Sequence, residues 1–193
     1  MARPFLALGH KLLAAAATLL ALTAGAGAAA VFPRTTTTTP TQDTYVANGD
    51  FECGLAPWVV QVPDTEANYS IAAPGHASSS SFQVQFAPPA RSPEKGVSAR
   101  IISPPVRVVP GVPYRLTFWT WFNNPQAGFI GVQFNNLAYY TIDATDHGWG
   151  GDFTLNTVDY TPTNDTVTIK FEFLFNPVPS LDRIDYITFA PVQ

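Results

Sequence analysis

Charge is scarce in this sequence. Asp, Glu, Lys and Arg make up 12% of its 193 residues, about half the usual share. That argues against a coiled coil or a long solvated helix, both of which need charged faces. Lys and Arg number 10 against 14 Asp and Glu. No basic field exists to collect phosphates, which excludes a nucleic-acid partner. A single Cys excludes an internal disulfide framework and a Cys-based zinc site. The plentiful residues are of another kind: 18 Pro, 13 Gly and 13% aromatics. Together they suit an all-β chain cut by many turns.

The first thirty residues read as an address. Arg3 and Lys11 give a positive start, Leu12–Thr23 is apolar, and small residues lead to Ala28 and Ala30. This is the pattern of a secretory signal peptide over 1–30. A buried helix or membrane anchor ranks below it, because the apolar run is short for a bilayer and has no polar face. The C-terminal Phe189–Gln193 lacks the apolar tail of a lipid-anchor signal. Residues 31–43, with Thr35–Thr39 before Pro40, read as an extended linker. Asn68-Tyr69-Ser70 and Asn164-Asp165-Thr166 are N-glycosylation acceptors, expected on the surface of a secreted protein.

From residue 44 onward the runs alternate with period two. Phe82, Val84 and Phe86 share a face; so do Tyr114, Leu116, Phe118, Thr120 and Phe122. Ile130, Val132 and Phe134 form another stripe, and Val167, Ile169, Phe171, Phe173 and Phe175 a fourth. Asn135-Asn136 reads as a two-residue hairpin turn before a strand over 137–142. Ala99–Val109, Asp152–Tyr160 and Ile184–Phe189 read as extended. The expectation is a two-sheet β-sandwich of jelly-roll type over 44–193, with about eight or nine strands, in a monomer. An opening strand over Ala47–Cys53 would bury Phe51 and Cys53 together. Trp58 would close one end of the core.

Residues 48–58 read Asn-Gly-Asp-Phe-Glu-Cys-Gly-Leu-Ala-Pro-Trp. A turn at Pro74-Gly75-His76-Ala77, a Pro110-Gly111-Val112-Pro113-Tyr114 segment running to Trp119, and Leu181-Asp182-Arg183-Ile184 follow in order. This series resembles the CenC-type carbohydrate-binding modules, carbohydrate-binding families 4 and 9, with their galactose-binding-like jelly roll. The resemblance covers about 150 residues, and its opening motif is the most specific part. It implies binding of polysaccharide chains by a module that is often attached to glycoside hydrolases. It also implies a structural calcium ion held by Glu52 and Asp182, with Asp50 giving its carbonyl. Hard oxygen ligands suit calcium. The Gly/Ser-rich turn lacks the carboxylate that some members of the family offer. Surface or capping roles for Glu52 and Asp182 stay equally open.

A sugar site needs aromatic platforms beside fixed hydrogen-bonding groups. The non-core faces supply Thr117, Trp119 and Trp121 on one strand, Gln133 on a second, and Lys170 and Glu172 on a third. Tyr139 and Tyr140 are adjacent, so one of them shares this face; Arg100 is a further candidate. The competing reading swaps the stripes and puts both Trp in the core. Another leaves Lys170 and Glu172 as solvated strand charges. A glycosidase needs two placed carboxylates, and no such pair stands out. No Gly-x-Ser-x-Gly elbow accompanies His76 and Ser78–Ser81. Asp146-His147-Gly148-Trp149-Gly150-Gly151-Asp152 reads as a Gly-rich turn closing the sandwich. The sequence thus points to a secreted, non-catalytic polysaccharide binder, extracellular or cell-wall associated. The alternatives are a cell-surface interaction protein of the same fold and, less favoured, a small glycan-active enzyme.

Overall fold

The computed structural model describes residues 46–87, 98–147 and 150–193, and of residues 138 and 139 the backbone alone. The expected signal peptide and linker lie outside the described residues. The strands are β1 (Val59–Gln61), β2 (Ala67–Ala72), β3 (Ser81–Phe86), β4 (Ala99–Ile102), β5 (Val106–Arg107) and β6 (Tyr114–Phe122). They continue with β7 (Gly128–Phe134), β8 (Ala138–Asp143), β9 (Thr154–Tyr160), β10 (Thr166–Val167), β11 (Ile169–Phe175) and β12 (Ser180–Pro191). A five-stranded front sheet runs β1-β4-β11-β7-β8, and a five-stranded back sheet runs β2-β3-β12-β6-β9. A short β10-β5 ribbon stands apart from both. No helix of the described residues is long and apolar enough to cross a membrane.

The apolar stripes meet between the sheets. β6 buries Tyr114, Leu116, Phe118, Thr120 and Phe122, while Arg115, Thr117, Trp119 and Trp121 face outward. β11 buries Ile169, Phe171, Phe173 and Phe175. Rings from opposite sheets interlock: Phe118 with Phe171 at 5.0 Å, Phe82 with Phe173 at 5.8 Å, and Phe86 with Phe175 at 5.2 Å between centroids. Each such buried side chain contributes about 1.5–3 kcal/mol by leaving water.

Several boundaries differ from the sequence reading. The extended segment Ala99–Val109 is two strands, because Pro104 and Pro105 withhold ladder N–H groups between them. The long strand over 167–175 is likewise two. Its break is Thr168, whose N–H goes to the Asn135 side-chain carbonyl at 2.7 Å instead. Asn135 and Asn136 form the expected tight turn with φ of 50° and 62°. The short strands β1 and β2 had no clear alternation to reveal them.

The opening motif is a knotted turn, not a strand. Asn48 and Phe51 adopt φ of 51° and 55°. The Asn48 amide donates to the carbonyls of Gly54 and Ala56, each at 2.8 Å, and its oxygen accepts from Cys53 N–H at 3.2 Å. Gly49 lies so close to β12 that a Cβ there would sit 2.1 Å from the Ile187 carbonyl oxygen. The motif therefore ties the chain entry to β12. Cys53 points out of this turn and is exposed, contrary to the expected burial beside Phe51. Phe51 itself is buried, and Trp58 packs on it and on Phe171, closing the core as expected.

Candidate functional site

Antiparallel partners directly opposite each other share a face. That rule builds two rows across the outer side of the front sheet. One row is Val59, Ile102, Lys170, Gln133 and position 139; the other is Gln61, Arg100, Glu172, Gly131 and Thr141. Four of the side chains form one network. Arg100 Nε donates to Glu172 Oε1 at 2.8 Å, and Gln133 Nε2 donates to Glu172 Oε2 at 2.8 Å. Lys170 Nζ lies 3.9 Å from Glu172 Oε1. The register settles the choice between the two adjacent tyrosines in backbone terms: Tyr139 is opposite Gln133, and Tyr140 is opposite buried Val132. At the upper end of the rows lies a hollow of about 440 Å³, lined by Gln61, Ile102, Asn135, Asn136, Thr168 and Lys170.

Trp119 and Trp121 do face away from the core, but from the other side of the molecule. β6 belongs to the back sheet, whereas β4, β7, β8 and β11 form the front. One groove lined by both Trp with Gln133, Lys170, Glu172 and Arg100 is therefore not formed. The back face is also occupied by its own chain. The His76 ring stacks on Trp119 with centroids 3.4 Å apart, and the Arg183 guanidinium lies 5.3 Å from the centre of the Trp121 ring. Arg183 Nη1 donates to Pro74 O at 2.9 Å, and Trp121 Nε1 to Gly151 O at 2.9 Å. Asp185 holds the same loop: its Oδ2 accepts from His76 N–H at 2.5 Å and Ser78 Oγ at 2.7 Å. The two Trp thus anchor loops.

The carboxylates named for calcium do not come together. Asp182 is fully buried on the core side of β12, opposite Val84 and Phe122, and neither of its oxygens has a hydrogen-bond partner. Burial pushes its carboxyl well above the ordinary range. Glu52 is turned to the Ser78–Ser81 turn, accepting from Ser79 Oγ at 2.5 Å and Ser80 N–H at 2.7 Å. The Ser79 hydroxyl, ahead of the Ser80 N–H, lowers its pKa. Asp50 gives an oxygen to Glu52 N–H at 3.4 Å. The carboxylate near Asp50 is instead Asp185, raised by burial first and by the Asp50 charge last. Among the described residues no three His, Cys, Asp or Glu side chains gather as a metal-binding group. The set Glu52, Asp50 and Asp182 does not fit a calcium ion.

Asp159 and Glu172, the clearest strand carboxylates, lie on opposite sheets and each is paired with an Arg. Sequence reasoning missed Gln61, Asn136 and Thr168 as site residues. Thr168 and Lys170 already stood on one non-core stripe, and that was the available signal. Gln61 had none.

The fold and the site can be set beside known proteins. A family described as a carbohydrate binding domain, of families 4 and 9, matches residues 43–185. No curated protein matches the chain. Among solved structures, TmCBM61 in complex with β-1,4-galactotriose is similar at a TM-score of 0.58 and 15% identity, over 78% of this chain and 100% of that one. A putative sugar binding protein from Bacteroides thetaiotaomicron is similar at 0.58 and 9% identity, covering 78% and 100%. The K3 adhesin domain of Lys-gingipain from Porphyromonas gingivalis is similar at 0.54 and 18% identity, covering 76% and 99%. At these identities the three share the fold.

Proposed function

Since the chain belongs to the carbohydrate-binding domain family of types 4 and 9, we propose that it holds a polysaccharide on the outer face of the front sheet. It does so without cutting the chain, and it acts outside the cell. The observation that carries this reading is the pair of residue rows, opposite one another in register, crossing all five strands. Four interstrand gaps of about 4.8 Å give a path of roughly 19 Å, enough for several linked groups. Sugar hydroxyls both donate and accept, so they need fixed partners of both kinds. Glu172 fixes Arg100 and Gln133 by using both its oxygens on them. That leaves the Arg100 Nη groups as donors and Gln133 Oε1 as an acceptor, neither bonded among the described residues.

The signal-type segment 1–30 supports export, and the exposure of Asn68 and Asn164 supports glycosylation at both. The paired state of Asp159 and Glu172 supports binding without hydrolysis. Affinity electrophoresis on a panel of soluble polysaccharides tests the reading. We expect retention on at least one, weakened tenfold or more by Gln133→Ala or Arg100→Ala; the fold should persist by circular dichroism, with some fall in melting temperature because the buried Glu172 loses a partner. Absence of retention on every glycan would favour a protein-interaction role; release of reducing sugar would show an enzyme.

A further inference from the structure

The front face is unevenly supplied with charge and with hydrogen-bonding groups. Its upper end holds two cations, Arg100 and Lys170, against one carboxylate, Glu172. Both oxygens of that carboxylate are already spent, on Arg100 Nε and on Gln133 Nε2. Lys170 is the group left over. Its side chain is 18% exposed, yet its ammonium makes no hydrogen bond among the described residues, and its nearest carboxylate oxygen is 3.9 Å away. It lines the hollow of about 440 Å³ with Gln61, Asn136 and Thr168. Asn135, at the rim, is held in place: its amide donates to Thr166 O at 3.0 Å and its oxygen accepts from Thr168 N–H at 2.7 Å. The other carboxylate of this face, Asp143, is at the far end opposite Phe129, and bonds its own turn through Thr145.

An ammonium with unused donors, lining a hollow whose other side chains are all neutral, is matched by an anion. Resting on the reading of this face as a glycan site, we infer that it selects anionic polysaccharides, seating a sugar-borne carboxylate or sulfate on Lys170. The chain as a whole carries a formal charge of −4, so this preference comes from the local site and not from a general attraction.

Two matched pairs of ligands test it on the full chain. Polygalacturonate is compared with its fully methyl-esterified form, and dextran sulfate with dextran. We expect at least tenfold tighter retention of one charged member over its neutral counterpart, shrinking as salt rises. Which pair shows the preference tells carboxylate from sulfate. Lys170→Gln should abolish the preference. Glu172→Gln, which keeps an acceptor and removes the opposing charge, should increase it. Arg115→Gln on the back sheet should leave it unchanged. Equal retention of charged and neutral members, or a preference that survives Lys170→Gln, would overturn the inference and leave the glycan reading standing. Retention of no polysaccharide at all would remove both.

Discussion

The two outer faces of the sandwich are built from similar materials and end in opposite states. The front face carries Arg100, Glu172, Gln133 and Lys170 in a network whose Arg100 Nη groups, Gln133 Oε1 and Lys170 Nζ make no hydrogen bond among the described residues. The back face carries Arg183, Asp185 and two Trp, and these polar groups and rings are used to hold loops down. Arg183 shows the contrast with Arg100 well. Burial lowers its pKa, and its Nε has no partner, whereas Arg100 spends its Nε on a carboxylate. Residue type alone does not make a binding face. What matters is whether the neighbouring loops fold across it.

The largest effect expected from breaking this contrast is at Trp119. Trp119→Ala removes the ring under His76 and should cost about 2 kcal/mol, a fall in melting temperature of about 4–8 °C. Polysaccharide retention should not change. The opposite result, intact melting with lost retention, would move the site to the back face.

A smaller effect is expected on the core side of β12. The folded chain keeps the Asp182 proton that the unfolded chain gives up above about pH 4. This raised carboxyl therefore contributes stability in full at the acidic end, and the contribution drains away as pH rises toward the folded value. Asp182→Asn should flatten that decline and stabilise the protein at pH 7 by about 1–2 kcal/mol. Thermal melting of both chains between pH 4 and 8 checks it; parallel curves would show that Asp182 does not titrate with folding.

The smallest effects lie at the exposed back surface. Arg115 and Asp159 form a bidentate pair at 2.7 and 2.8 Å, but both side chains are about half exposed. Arg115→Gln should leave the melting temperature unmoved within error, because water and salt screen such pairs. Asn68 stands on β2 opposite Gln85, on the same side as Trp119. Asn68→Gln should lower the mass of protein secreted from a glycosylating host and leave polysaccharide retention as it was. A change in retention would tie the back face to binding after all.

Which residues face the core was legible in the sequence, because alternation is a local property. β3, β6, β7 and β11 all bury the stripes that period two assigns. Sheet membership was not legible. β6 and β7 are separated by Asn123–Gln126 and Ala127, and proximity would pair them, yet the chain crosses there from back to front. β11 runs between β7 and β4, so that Arg100 and Glu172, 72 positions apart, meet. Nothing in either strand alone announces that. Asp182 misled for a related reason. Its carboxylate reads as a calcium ligand or a surface or capping group, but the pairing of β12 puts it opposite Val84 and Phe122, on the core side, where it is fully covered.

The rim of the front hollow is a turn in which two consecutive residues adopt left-handed backbone. Only a few amino acids accept that geometry cheaply, chiefly Gly, Asn and Asp. Asn135 is further committed by its two bonds to the β10–β11 junction. Position 136 is therefore where variation is least constrained by the scaffold, and handedness leaves it a very short alphabet: an amide, a carboxylate or nothing. Evolution or a designer working on this rim can switch its charge in one step, but cannot place an aromatic ring there without first rebuilding the turn.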